Sequence, residues 1–198
     1  MQRQLLLIFV KNPEAGKVKT RLAATIGADK ALDIYKKLLL HTHQITSELN
    51  ITKAVFYSDF VDNEDIWENS NYLKFIQHGN DLGKKMENAF KQGFDQRYSD
   101  ICIIGSDCYQ LRATHIKSAF DLLTHNEVVL GPSADGGYYL LGMNKLFSEF
   151  FNHKKWSTSE VLKDTLEDTQ TLKIKHTLLE TLIDVDEEKD LITMGLKF

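Results

Sequence analysis

At 198 residues the chain has the length of one domain (1–198) and can bury a proper core, with an ordinary soluble balance of 42% apolar and 26% charged residues. A formal net charge of −4 argues against a nucleic-acid partner, so any positive charge that matters must be local. The two cysteines, Cys102 and Cys108, make no disulfide scaffold, the apolar run over 5–10 is too short for a secretion signal, and no stretch approaches the ~18 apolar residues of a membrane span; a cytoplasmic protein is expected.

Residues 5–10 read as a fully buried strand. Residues 20–49 carry helical spacing, with Leu32, Tyr35, Leu38, Leu39 and Thr42 on one face. A strand over 53–58, a short helix over 66–70 and a strand over 73–77 follow. Residues 82–94 are helical, with Met86, Ala89, Phe90 and Gly93 on one side. A strand over 100–105 leads to a helix over 112–123. Two strands, 128–131 and 138–142, are joined by a glycine-rich turn. A helix over 157–168 is opened by a Ser/Thr cap. Short strands over 172–176 and 182–185 precede a closing helical turn over 186–192. This alternation predicts an α/β domain: three layers, α/β/α, around a mostly parallel sheet. Ligands of such sheets sit outside the carboxyl ends of the strands, so residues just after strands are the candidates.

Directly after the first strand come Lys11, Lys17, Lys19 and Arg21, with Gly16 among them. A loop feeding a helix N-terminus offers free N–H groups and a positive dipole end, and the added cations suit a di- or triphosphate. The loop is not a Walker loop, because Gly16-Lys17 is followed by Val18, and no dinucleotide fingerprint is present. After the strand over 100–105 come Ser106 and Asp107, where a carboxylate at the sheet edge suits a hard divalent cation bridging to phosphate. Asp135-Gly136-Gly137 reads as a turn in which glycines allow close approach of a ligand, and Asp135 could bind a hydroxyl, act as a base or assist the metal. Asp184 and Asp186 alternate along a strand and would share one face, repelling each other unless a cation lies between them. His41 and His43 are two apart on a helix, the wrong spacing for shared ligation. Trp67 and Trp156 read as packing residues.

Taken together, these segments resemble the bacterial DUF2064 family, candidate glycosyltransferases found beside radical-SAM and selenodomain proteins. That family is similar to the GT-A, or nucleotide-diphospho-sugar transferase, fold. The resemblance rests on Phe9 to Pro13 with Gly16 to Leu22, on Gly79 to Met86, on Gly105 to Cys108, and on Gly131-Pro132 with Asp135 to Gly142. The Lys19-Thr20-Arg21-Leu22 piece also resembles the Lys-Ser-Arg-Leu of phospholactate guanylyltransferases. The resemblance implies that Lys11, Lys19 and Arg21 contact the nucleotide phosphates and that Gly16 and Ser106 belong to the same substrate or nucleotide site. It implies that Asp81 to Gly83 lie near the base or ribose, and that Asp135, Gly136 and Gly137 face the sugar or acceptor. Asp107 would ligate Mg²⁺ or Mn²⁺, with Asp184 or Asp186 completing the metal site. The family has proline after the Asp-Cys pair, where this chain has Tyr109.

The expected activity is metal-dependent glycosyl transfer from a nucleotide sugar to a small-molecule acceptor. The alternatives are a nucleotidyltransferase joining an NTP to a phosphorylated acceptor, and a non-catalytic nucleotide-binding protein. The first pair differ in whether pyrophosphate is released.

Overall fold

The computed structural model describes residues 3–195, so residues 1–2 and 196–198 of the expected domain lie outside the described residues. The framework is one seven-stranded sheet in the order β3-β2-β1-β4-β6-β5-β7. Its strands are β1 (Gln4–Val10), β2 (Thr52–Tyr57), β3 (Leu73–Ile76), β4 (Asp100–Ile104), β5 (Val128–Pro132), β6 (Tyr138–Met143) and β7 (His176–Leu178). The first four run parallel, β6 is antiparallel to both β4 and β5, and β7 is parallel to β5. The sheet is therefore mostly parallel, as expected, with β6 its one reversed strand among the described residues.

β1 shows why the strands are apolar throughout. Alternate side chains go to opposite faces, and helices cover both. Leu6, Ile8 and Val10 join a core with Tyr35 and Leu39 of α2 (Ala28–Ser47) and with Ile116 and Phe120 of α4 (Ala113–Leu123). Leu5 and Leu7 join the opposite core, with Met86 and Phe90 of α3 (Leu82–Asp95) and with Phe150 and Phe151 of a 3-10 turn, Ser148–Phe151. α5 (Val161–Thr171) adds Leu162 and Leu166 to that side. A third, smaller cluster binds α1 (Thr20–Ile26) and α2 to α6 (Glu188–Thr193), through Leu22, Ile34, Leu38, Val185 and Leu191.

Several elements differ from expectation. The helix over 20–49 is two helices, broken at Gly27, whose φ of 90° ends α1. Residues 66–70 form no helix. The Asp65 carboxylate accepts bonds from the Tyr57 hydroxyl, the Lys74 ammonium and the Trp67 N–H, and this local hub holds an irregular loop over the buried Trp67. α5 starts at Val161, and Glu160 precedes it without a side-chain cap, so the Ser/Thr cap is not used. α5 continues to Thr171, which moves the following strand from 172–176 to His176–Leu178. Residues 182–185 make a single parallel bridge, Ser133 to Leu182, rather than a strand. Among the described residues, no helix is long and apolar enough to cross a membrane.

Candidate functional site

The loops after β1, β4 and β5 meet at the carboxyl edge of the sheet, and residues 182–186 close over them. That last segment docks by hydrogen bonds to the loop after β4. Val185 N–H donates to the Asp107 carbonyl (2.9 Å), Ile183 N–H to Gln110 Oε1 (2.8 Å), and the Cys108 thiol to the Ile183 carbonyl (3.6 Å). This docking brings carboxylates 75 or more positions apart in the chain into one cluster.

Lys19 is its centre. It takes a left-handed conformation (φ 47°) just before α1, which turns the side chain inward instead of out with its neighbours. Its ammonium lies 2.9 Å from Asp107 Oδ1 and 3.1 Å from Asp186 Oδ1, and the Lys19 side chain is 4% exposed. Burial disfavours the charged form, but the two carboxylates outweigh it and the Lys19 pKa is raised. Asp184 points elsewhere. Its Oδ2 accepts a hydrogen bond from the Ser133 hydroxyl at 2.8 Å. Burial, with Asp107 and Asp135 nearby, pushes the Asp184 carboxyl up to about 6, against the opposing pull of Ser133 and Lys19.

The expected pairing of Asp184 and Asp186 on one strand face is therefore corrected. They lie on an irregular segment and have separate partners, one a hydroxyl and the other an ammonium. The same geometry joins a residue expected at the phosphates, Lys19, to two expected at a metal, Asp107 and Asp186. Among the described residues, no group of three or more His, Cys, Asp or Glu is arranged to hold a metal ion. The donor chemistry still suits a hard cation: Asp107 and Asp186 keep 43% and 40% of their side chains exposed and already share one positive charge.

The other expected residues divide by role. Lys11 and Arg21 are exposed beside the cluster, while Lys17 is paired with Glu14 at 2.8 Å. Gly16 supplies the positive φ (77°) of the turn between them. Ser106 is buried, 3.3 Å from the Tyr35 hydroxyl. Asp81 caps α3 by accepting the Lys84 N–H at 2.8 Å, and Asp135 Oδ1 accepts the Gly137 N–H at 2.9 Å. Tyr109 stands 4.6 Å from the His41 ring, centroid to centroid.

Three further residues shape the site; in the sequence Tyr35 and Trp156 carry only a packing signature, and Asn12 stands in the loop after the first strand. The Tyr35 hydroxyl is bonded to both the N–H and the carbonyl of Lys11 (2.7 and 3.1 Å), fixing the start of the basic loop. Asn12 pins that loop to the one after β2, with Oδ1 accepting from Asp59 N–H and Nδ2 donating to the Phe60 carbonyl. Trp156 lines a cavity of about 210 Å³ that opens beside Asp135 and Asp184, on the α3 side of the sheet. An Asn two residues past a strand was the one legible signal among the three.

Residues 41–158 match the family described as "Uncharacterized protein conserved in bacteria (DUF2064)". A candidate nucleotide-diphospho-sugar transferase from Desulfovibrio desulfuricans G20 is 30% identical over 98% of this chain and 87% of its own, with a TM-score of 0.89. Rv0371c in complex with manganese, from Mycobacterium tuberculosis H37Rv, is 11% identical over 98% and 97% of the two chains, with a TM-score of 0.60. CMP:2-keto-3-deoxy-manno-octonic acid synthetase complexed with CTP is 7% identical over 98% and 97%, with a TM-score of 0.59. The last two show a shared fold. No curated protein matches the chain.

Proposed function

We propose that this chain, which belongs to the DUF2064 family, is a transferase that takes a nucleotide-diphospho-sugar donor and moves its sugar to a small-molecule acceptor. The observation that carries the reading is the Lys19–Asp107–Asp186 cluster at the carboxyl edge of the sheet, between the basic loop and the cavity. Its place fits the position of ligands in open α/β sheets. The resemblance to a nucleotide-diphospho-sugar transferase over nearly the whole chain supports the donor class.

Lys11 and Arg21 would meet the diphosphate, with Gly16 letting the loop backbone approach it. Asp81 would border the base or ribose, whereas Leu82 lines the cavity and Gly83 is covered by the Trp156 ring. Asp107 and Asp186, with Asp184 beside them, would hold Mg²⁺ or Mn²⁺, and the ion would supply charge neutralisation for the departing diphosphate. Asp135, held by the Gly137 N–H, is the carboxylate for the acceptor hydroxyl.

The test is product analysis. Purified protein with Mn²⁺ and a panel of UDP- and GDP-sugars should release the nucleoside diphosphate slowly, without pyrophosphate, and Asp107→Ala should reduce the rate at least tenfold. Pyrophosphate released from an NTP plus a sugar phosphate would replace this reading with nucleotidyl transfer. Nucleotide binding with neither product would leave a non-catalytic binding protein.

A further inference from the structure

The cavity beside Asp135 has a mostly apolar wall. Phe9 at the end of β1, Leu82 and Met86 of α3, Tyr138 of β6, Trp156 and Val161 surround it, and Asp135 and Asp184 stand among the polar residues at its lining. None of the residues lining it is Lys, Arg or His. The wall is held by close backbone fits. The Trp156 ring lies so near Gly83 that a Cβ there would come within 2.3 Å of the indole nitrogen. A Cβ on Gly136 would come within 2.2 Å of the Ser159 carbonyl oxygen, and Leu162 N–H donates to the Gly136 carbonyl at 2.9 Å. The segment bearing Trp156 is thus seated against both α3 and the β5–β6 turn. Among the described residues, the Tyr138 hydroxyl is a buried polar atom without a hydrogen-bond partner.

We propose that this cavity is the acceptor subsite, and that it takes an uncharged alcohol carried on an apolar ring. This rests on the transferase reading given above. Size supports one ring: an apolar cavity of about 150 Å³ holds benzene, and this one is about 210 Å³. Charge supports neutrality. A phosphorylated acceptor would bring its negative charge against Asp135 and Asp184, with no cation in the lining to meet it. Four aromatic residues line it, Phe9, Tyr138, Tyr139 and Trp156, and aromatic rings offer faces and edges for stacking. In the transfer, the acceptor oxygen bonds to the anomeric carbon as the bond from that carbon to the diphosphate oxygen breaks. The electron pair leaves with the nucleoside diphosphate, and the hydroxyl proton passes to the Asp135 carboxylate.

Benzyl alcohol and benzyl phosphate form a matched pair of probes, read by tryptophan fluorescence, since Trp156 lines the cavity and Trp67 is in the core. Benzyl alcohol should quench saturably, at least tenfold more tightly than benzyl phosphate, and Trp156→Phe should remove the quench. No saturable quench by the alcohol, or equal or tighter binding of the phosphate, overturns the inference. The preference is measured on the wild-type chain, so it decides the matter even if the variant does not fold. Stabilisation by nucleotide sugars is measured in parallel. Stabilisation without binding of the alcohol defeats the subsite alone, whereas binding of the alcohol without any nucleotide effect defeats the donor reading alone.

Discussion

The two sides of the sheet edge are built from opposite materials. Toward α1 and α2, the loop after β1 gathers cations, and a buried ammonium ties Asp107 to Asp186. Toward α3 and α5, aromatic and aliphatic side chains enclose a cavity without a single basic residue in its lining. Asp184 stands between them, lining the cavity while feeling the Lys19 charge. The proposed transfer calls for this contrast, since its donor would be a polyanion and its acceptor hydroxyl would be kept from water. The polar half is held together by charge and the apolar half by backbone fit, and each can be broken by its own kind of substitution.

The largest effect is expected on the polar side. Replacing both Asp107 and Asp186 by Asn would leave the Lys19 ammonium buried and uncompensated, at a cost of about 3 kcal/mol. Chemical denaturation would read it, and a loss under ~1 kcal/mol would mean that the ion cluster does not hold this edge. On the apolar side, Gly136→Ala should cost about 2 kcal/mol, because a positive φ (90°) and the Ser159 carbonyl both oppose a side chain there. The variant should also weaken benzyl alcohol quenching, while unchanged stability would show that the β5–β6 turn does not brace the cavity wall.

The boundary residue gives a pH test in metal-free buffer. The folded-state value for Asp184, about 6, lies above the ordinary aspartate value of 3.8. Below pH ~4 the carboxyl is protonated in both states and costs nothing. Between pH ~4 and about 6 the unfolded chain has released this proton while the folded protein still holds it, so stability falls across that window and levels off above it. Asp184→Asn should therefore be more stable than wild type at pH 7, by about 1–2 kcal/mol, with the advantage gone at pH 4. An advantage that does not change with pH would contradict the burial of this carboxyl. The smallest effect concerns Tyr138→Phe. Removing an unpartnered buried hydroxyl should stabilise the free protein by up to ~1 kcal/mol, and a loss of stability would reveal a partner for it.

What the sequence made legible follows the same division. The strands at 5–10 and 100–105 stand out because sheets covered on both faces need unbroken apolar runs, so the fold and its ligand edge could be located. The polar motifs could be seen because their residues are clustered along the chain. Which of four neighbouring cations turns inward could not be seen, since that depends on a left-handed backbone at Lys19 and on carboxylates contributed from far along the chain. The break at Gly27 was hidden because a lone glycine inside a helical pattern is tolerated at a cost of only ~1 kcal/mol. The helix over 66–70 failed because the hydrogen bonds to Asp65 override a weak periodic signal. The cavity was illegible for a plainer reason. Phe9, Met86 and Trp156 come from separate elements, and an apolar side chain facing a cavity has the same signature in sequence as one facing the core.

The central claim is that the edge of the sheet beside Lys19 binds the diphosphate of a nucleotide sugar. A thermal-shift panel of nucleotides and UDP- and GDP-sugars, with and without Mn²⁺, tests it most directly. At least one nucleotide sugar should stabilise the protein, more with Mn²⁺ than without, and Asp107→Ala should abolish the Mn²⁺-dependent part. No stabilisation by any member of the panel would contradict it.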